Sequence, residues 1–117
     1  MKLFKRRKKL DPLHFKAEWI AVQKLCASKE TWPLAVMNAD KLLDEALKKS
    51  RLKGKSMGER LVEAQRQLTD NDAVWFAHNL SKKLLADSIS RLREADVKRS
   101  LVGFRQALRD LGALHDK

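Results

Sequence analysis

Apolar residues recur at every third or fourth position in the stretch between Glu94 and Gly112, which is the spacing of one side of an α-helix. The residues that form this stripe are Val97, Leu101, Phe104, Leu108 and Leu111. The 117-residue chain holds only 4 Gly, 2 Pro and no Tyr, which disfavours a β-rich fold because such folds need many turns. Strong helix formers are abundant instead. The spacing and the composition together predict an all-α fold.

Four further helices are predicted upstream of this one. The five helices are expected to start near Asp11, Thr31, Ser56, Val74 and Glu94. Pro12 and Pro33 suit the first turn of a helix, and Gly112 is expected to cap the end of the fifth. Because the connections are short, we expect an antiparallel bundle of about five helices that forms a single domain over residues 11–117.

The chain is strongly basic, with 26 Lys and Arg against 15 Asp and Glu and a net charge of +11. Six of these cations precede Leu10, so residues 1–10 are predicted to form a basic, disordered tail. Its clustered cations are Lys5, Arg6, Arg7, Lys8 and Lys9. Such a cluster can bind RNA or anionic lipid, lie free in solvent, or flank a membrane segment, and the sequence leaves these alternatives open.

No apolar run approaches the roughly 20 residues that a bilayer crossing needs, and no secretory apolar region follows the first cations. We therefore expect a cytoplasmic protein, with the inner membrane surface as the other location that the tail would favour. The cysteine count fits a reducing compartment, since the chain has a single Cys.

A second basic segment connects the second and third helices. Its cations are Lys48, Lys49, Arg51, Lys53 and Lys55. Flexible backbone at Gly54 and Gly58, together with lysines, suits an anion. No strand precedes the segment, and the glycine order of a P-loop is missing, so the sequence predicts a general anion-binding patch and not a nucleotide site.

Other polar residues are interpreted as structural. Asp40 and Asp44 lie four apart on the second helix and are predicted to form a solvated face, since no third ligand joins them at metal-binding spacing. Cys26 falls in an apolar helical pattern and is predicted to be a buried, inert thiol. With His14 and His115 it forms no metal-ligand spacing. We expect no metal, no cofactor and no small-molecule substrate.

The fourth predicted helix has two sides of different composition. The side that is expected to face the bundle carries Ala73, Val74, Ala77, Leu80, Ser81 and Leu84, and the opposite side carries Trp75, Asn79, Lys82 and Ala86. His78 lies at the border, with no carboxylate within two turns on its own helix, which favours a structural role over that of a general base. Trp is enriched where proteins meet, so Trp75, His78, Asn79 and Lys82 are candidate interface residues, and a homodimer is expected.

The order of phrases from Trp32 to Leu114 resembles small bacterial proteins with a HEPN-like helical fold. VWFAH at 74–78 and ALRDLGAL at 107–114 carry much of this resemblance. The resemblance implies a metal-independent ribonuclease built at a dimer interface, in which an Arg holds the phosphate and a His about five residues later moves the proton of the 2′-hydroxyl. It also implies a nucleotidyltransferase-type partner protein.

This chain departs from the family's motif at three places in AHNLSKKLLADS, residues 77–88. Ser81 stands where the motif has Arg, Lys82 where it has Asn, and Ala86 where it has His. Ser cannot clamp a phosphate as Arg does, and Ala cannot transfer a proton. The resemblance and these departures predict a catalytically degenerate module that binds or regulates.

Two alternatives to the degenerate module stay open at this point. One is a nucleic-acid-binding protein that uses the basic tail and the segment 48–55. The other is a surviving ribonuclease that uses His78 with Lys82 and Lys83. Cleavage of RNA that depends on His78 would favour the second of these, and salt-dependent binding without cleavage would favour the first.

Overall fold

The computed structural model describes residues 10–87 and 91–115, and within these ranges it contains helices and no strand. The helices are α1 (Pro12–Leu25), α2 (Trp32–Lys49), α3 (Met57–Glu63), α4 (Asn71–Leu85) and α5 (Glu94–Asp110), with a 3-10 turn at Lys29–Thr31 between α1 and α2. The predicted all-α fold of five helices is confirmed. None of the helices in the described ranges combines the length and the apolar character that a bilayer crossing requires.

α1, α3 and α4 begin at capping side chains that the sequence indicates, whereas Thr31 before α2 and Arg93 before α5 make no side-chain cap bond. The Asp11 carboxylate accepts the backbone N–H of Leu13 at 3.1 Å at the start of α1. At the start of α4 the Asp70 carboxylate accepts the N–H of Ala73 at 3.0 Å. Since a cap satisfies N–H groups that have no partner inside the helix, α4 begins at Asn71, three residues before the expected start.

The end of α5 is closed by Gly112, as predicted. Its φ is +84°, a conformation that disfavours side chains with a Cβ. The N–H of Ala113 donates to the carbonyl of Leu108 at 2.8 Å, and the N–H of Gly112 donates to that of Arg109 at 2.9 Å. This pair of bonds is the Schellman arrangement, which satisfies carbonyl groups at a helix end.

The long second helix, α2, is the centre of the bundle, because α1, α3, α4 and α5 all pack against it. Its buried apolar residues are Ala35, Val36, Ala39, Leu42, Leu43, Ala46 and Leu47. α1 runs antiparallel to α2, since His14 near the start of α1 contacts Glu45 near the end of α2. Leu10, just before α1, is also buried in this core, so a truncation of the tail should spare it.

The residues that the sequence assigns to the buried sides of the helices lie in the core. Phe15, Trp19 and Val22 are buried on α1, and Phe104 and Leu108 are fully buried on α5. Of the predicted disordered tail, residues 1–9 lie outside the described residues, and the prediction is wrong for Leu10, which is buried in the core.

The α4 and α5 helices cross closely at Gly103. A methyl group at this position would lie 2.8 Å from the backbone oxygen and 3.0 Å from the carbonyl carbon of Ala73. These are backbone atoms, which cannot turn aside as a flexible side chain does. The crossing distance of α4 and α5 therefore depends on the absence of a side chain at residue 103.

We predict that Gly103→Ala destabilises the protein by about 1–3 kcal/mol, the usual cost of forcing an extra carbon into a packed core. Gly58→Ala is the matched control. A methyl group there meets ring atoms of Trp75 at 3.5 and 3.9 Å and the Ser56 Oγ at 3.8 Å, which are ordinary contacts, and Ala favours helix over Gly. Urea unfolding of both variants measures the difference. A Gly103→Ala protein as stable as the wild type would contradict the close crossing.

Candidate functional site

The two sides of α4 lie as the sequence predicts. Val74, Ala77, Leu80 and Ser81 are buried toward the bundle. On the other side Asn79, Lys82 and Ala86 are exposed, and Trp75 is half-buried. Two of the four candidate interface residues, Asn79 and Lys82, are thus on the surface, whereas His78 is turned into the bundle with 7% of its area exposed.

Ser81, the residue that the family resemblance aligns with the Arg of the motif, is fully buried. Its hydroxyl has no hydrogen-bond partner among the described residues. An Arg side chain at this position would start inside the core, where an unpaired charge is costly. Ala86, in the place of the motif's His, is the exposed C-cap of α4. Position 81 is thus buried and position 86 is exposed, so the two positions differ from each other in environment as well as in residue type.

His78 forms a buried pair with Asp40 of α2. The ring Nδ1 lies 2.9 Å from the Asp40 Oδ1, and the two side chains expose only 8% and 10% of their areas. The prediction that Asp40 belongs to a solvated face is wrong. The reason is that α2 is central, so that a polar residue beside its buried stripe meets α4 and not water.

The edge of the Trp75 ring also packs against His78. The two ring centroids are 6.0 Å apart, with their planes at 72°. Trp75 lies beside Gly58 of α3 as well, so much of its surface is covered within one copy of the chain. In the described ranges His78 has a carboxylate to orient it but no hydrogen-bonded hydroxyl, thiol or amine that it can activate. The geometry is that of a structural histidine.

Asp44, one turn after Asp40, forms the second polar pair of α2. Arg60 of α3 donates to its two carboxylate oxygens, from Nε at 2.8 Å and from Nη2 at 2.9 Å. This hydrogen bonding raises the pKa of Arg60 and keeps the guanidinium charged. The prediction of a solvated face is wrong for Asp44 too, because its side chain is only 19% exposed.

The same guanidinium holds the basic segment in place. Arg60 Nη1 donates to the carbonyl of Gly54 at 2.8 Å, and the N–H of Lys55 donates to the Glu59 carboxylate at 2.8 Å. Arg51 turns the chain at the end of α2 with a φ of +64°. Lys48 and Lys49 lie in the last turn of α2, and residues 50–55 form an ordered loop that is fixed by contacts to α3.

We call the segment 48–55, which comprises the last two residues of α2 and the loop after them, the basic loop. Its cations divide into two groups. Lys48 and Lys49 form ion pairs with Asp44 and Glu45, at 3.6 and 3.3 Å. The other three cations are Arg51, Lys53 and Lys55. All three are exposed and have no acidic partner within the described ranges. These three charges are the part of the loop that can bind an external anion.

The tail joins the bundle at the end that carries the basic loop. His14 Nε2 lies 2.8 Å from Glu45, and the same carboxylate pairs with Lys49. His14 is only four residues after Leu10, so the chain passes from the tail into the bundle beside the start of the loop. The predicted anion-binding residues Lys5, Arg6, Arg7, Lys8 and Lys9 lie outside the described residues, but their point of attachment is at this end.

Cys26 is half-buried at the end of α1, where its Sγ lies 3.4 Å from the carbonyl of Val22. Burial raises the pKa of this thiol, so at neutral pH it is less reactive than a free cysteine. In the described part of the chain no group of three or more His, Cys, Asp or Glu side chains is placed to hold a metal ion.

Comparison with protein-family models, with curated proteins and with solved structures finds no match to this chain. The site is therefore interpreted from its own geometry. The sequence correctly separated the two sides of α4, but it missed both carboxylate pairs of α2. The only available signal was that Asp40 and Asp44 each lie next to residues of the apolar stripe.

We predict that Asp40 and His78 are strongly coupled in a double-mutant cycle of Asp40→Ala and His78→Ala. The expected coupling energy between Asp40 and His78 is about 2 kcal/mol. Their hydrogen bond involves a carboxylate and is buried away from water, and either single change leaves the other polar group without its partner. Free energies of unfolding in urea at neutral pH measure it.

The matched control is the cycle of His14→Ala and Glu45→Ala, in which a His also bonds a carboxylate at 2.8 Å but the side chains are 37% and 33% exposed. We expect that coupling to stay below about 1 kcal/mol, since water screens it. Equal coupling in the two cycles would show that the burial of the Asp40–His78 pair has no energetic effect.

Proposed function

We propose that this chain is a HEPN-like helical domain without ribonuclease activity, which acts as a binding module. The single observation that carries the proposal is the state of the three motif groups on α4. Ser81 is buried, Ala86 has no titratable group, and His78 is closed inside a pair with Asp40. No pair of a phosphate-holding cation and an exposed histidine remains at these positions.

The absence of the motif's Arg and His is expected to lower the rate of RNA cleavage strongly. Proton transfer by a placed side chain contributes roughly 100- to 10,000-fold, and a group that stabilises developing charge contributes roughly 100- to 1,000-fold. A site without both is expected to cleave RNA no faster than background.

Asp40 supplies the orienting carboxylate that a surviving ribonuclease centred on His78 would need. Burial argues against that alternative, because 92% of the His78 side chain is covered. A phosphodiester must come within hydrogen-bond distance of a general base, and the described arrangement leaves it little access. The pair therefore supports a structural role for His78.

The ligand that the surface favours is single-stranded RNA. Arg51, Lys53 and Lys55 are exposed on an ordered loop, and neither Arg60 nor Glu59 has to move for them to meet a phosphate backbone. The tail, with its six basic residues, is attached beside this loop. Adjacent cations on two segments can neutralise several phosphates of one strand, and the release of counterions then drives binding.

A homodimer through the exposed side of α4 is also part of the proposal. Asn79, Lys82 and Ala86 form a continuous exposed strip, and Leu85 beside it is a large apolar residue with 64% of its area exposed. A second copy that packs here would bury the apolar surface of Leu85 and Ala86. Regulation of a nucleotidyltransferase-type partner protein is the role that the family resemblance adds.

We predict salt-dependent binding of single-stranded RNA without cleavage. A triple variant of the basic loop, Arg51→Gln, Lys53→Gln and Lys55→Gln, should bind more weakly. Its negative slope of log affinity against log salt should be less steep by about 2, since each phosphate contact on a single strand contributes roughly 0.7 to the steepness. Fluorescence anisotropy with a labelled oligonucleotide measures this, and a gel of the same samples without added metal measures cleavage.

The control triple variant is Lys24→Gln, Lys29→Gln and Arg91→Gln, which removes the same charge from exposed positions toward the other end of the bundle. We expect it to keep a slope close to that of the wild type. Equal losses in the two triple variants would mean that only net charge matters and would reject the loop as the site. Cleavage by the wild type that disappears in His78→Ala would reject the non-catalytic proposal.

We predict that the wild type sediments as a dimer at micromolar concentration and that Ala86→Arg shifts it to a monomer by placing a further positive charge in the contact. Ala21→Arg, at an exposed position of α1, is the matched control and should stay dimeric. Substitutions at these exposed positions test the dimer more cleanly than a substitution of Trp75, because Trp75 also packs within its own chain and its loss would disturb the fold. A wild type that stays monomeric at high concentration would reject the dimer.

A further inference from the structure

A groove lies between α1 and the chain that follows α5, away from both the basic loop and α4. It encloses a volume of about 450 Å³. Its floor includes Trp19 and Leu114, which are 7% and 9% exposed, and one wall is formed by Leu13 and Ile20 of α1. A cavity of this size, apolar at the bottom and open to solvent, has the general form of a ligand site.

The wall exists because α1 has two apolar sides. Phe15, Trp19 and Val22 face the bundle and are buried. Leu13 and Ile20 lie seven residues apart, so they share the other side of the helix, and they are 77% and 40% exposed. The fold needs only the first side. The second apolar side, that of Leu13 and Ile20, stays exposed to water on a helix that packs mainly against α2.

The charge of the groove selects the kind of partner. The charged or titratable residues that line it are Lys16, Arg105 and His115, and none of the described residues that line it is acidic. A segment that carries carboxylates complements this lining better than a second copy of this basic chain does. A partner that covers the apolar wall between these cations is favoured if it carries carboxylates.

The shape of the groove indicates which kind of partner fits it. The separation of seven positions between Leu13 and Ile20 corresponds to about 10 Å along the helix axis, which is two helical turns. A recessed floor receives a ridge of side chains, as when the apolar face of a helix enters a groove. A membrane surface instead receives apolar residues that protrude. We infer that this groove is a docking site for an acidic amphipathic helix of a partner protein.

The inference is independent of RNA binding and of the dimer, since the groove shares no residue with the basic loop or with the exposed side of α4. A synthetic peptide serves as the probe. It has Leu at positions i, i+3, i+4 and i+7 and Glu at the flanking positions. Two control peptides have the same Leu pattern with Lys in place of Glu, or the same composition with the order scrambled.

Binding to the full-length, isotopically labelled chain is followed by the indole N–H signals in ¹⁵N–¹H spectra. Trp19 lines the groove, and its Nε1 has no hydrogen-bond partner in the described ranges. Its signal, assigned by its loss in Trp19→Phe, should shift with the acidic peptide. The signals of Trp32 and Trp75, which do not line the groove, should move little. The Lys peptide and the scrambled peptide should leave all three unchanged.

Two variants test the wall and the charge. Ile20→Asp should weaken binding of the acidic peptide at least about tenfold, since it places a like charge on the apolar wall. Lys16→Glu should weaken it as well and leaves the apolar surface intact. Val102→Asp is the matched control for Ile20→Asp: Val102 is 67% exposed on α5 and lies outside the groove. It should bind as the wild type does.

Three results would overturn the inference. One is equal binding of the acidic and scrambled peptides, which would indicate attraction by net charge alone. Another is unchanged binding by both Ile20→Asp and Lys16→Glu. The third is a Trp19 shift with vesicles of phosphatidylglycerol and phosphatidylcholine but not with the peptide, which would assign the groove to lipid. Loss of RNA binding in the basic-loop variant has no bearing on any of them.

Discussion

The hydrogen bonds that α2 makes through Asp40 and Asp44 set the positions of the elements around it. One turn apart on the central helix, these carboxylates fix His78 of α4 and Arg60 of α3, respectively. Apolar packing is tolerant of small rotations, whereas a buried hydrogen bond at 2.8–2.9 Å requires one orientation. A buried polar pair adds little net stability over an apolar one, but breaking it is costly. The pairs thus specify which way α3 and α4 face.

Each of the two pairs has a further effect on the surface. The Asp40 pair holds His78 inside the bundle, where only 7% of its area is exposed. The Asp44 pair fixes Arg60, whose third contact, to Gly54, orders the basic loop. Through these two pairs α2 positions a buried histidine on α4 and an ordered cationic loop beside α3.

The basic character of the chain is unevenly distributed. Of the 26 basic and 15 acidic residues, 19 and 14 lie in the described ranges, so that part carries +5. The remaining excess belongs mostly to the tail. Because the tail joins the bundle beside the basic loop, charge accumulates at one end, where it favours polyanions. The groove between α1 and the residues after α5 adds an apolar surface with a cationic rim, suited to a different partner. The two surfaces can be occupied independently.

The sequence by itself determined the five helices, the capping side chains of α1, α3 and α4, and the two sides of α4. These features depend on the spacing of apolar residues and on local hydrogen bonds such as that of Asp70. Both involve residues that lie within a few positions of each other in the sequence. Only the tertiary structure decided that Asp40 meets His78, 38 residues away. A carboxylate beside an apolar stripe looks the same in a sequence whether its helix lies at the edge of a bundle or at its centre. Which of the two holds depends on how many helices pack around α2, and that is a property of the whole fold.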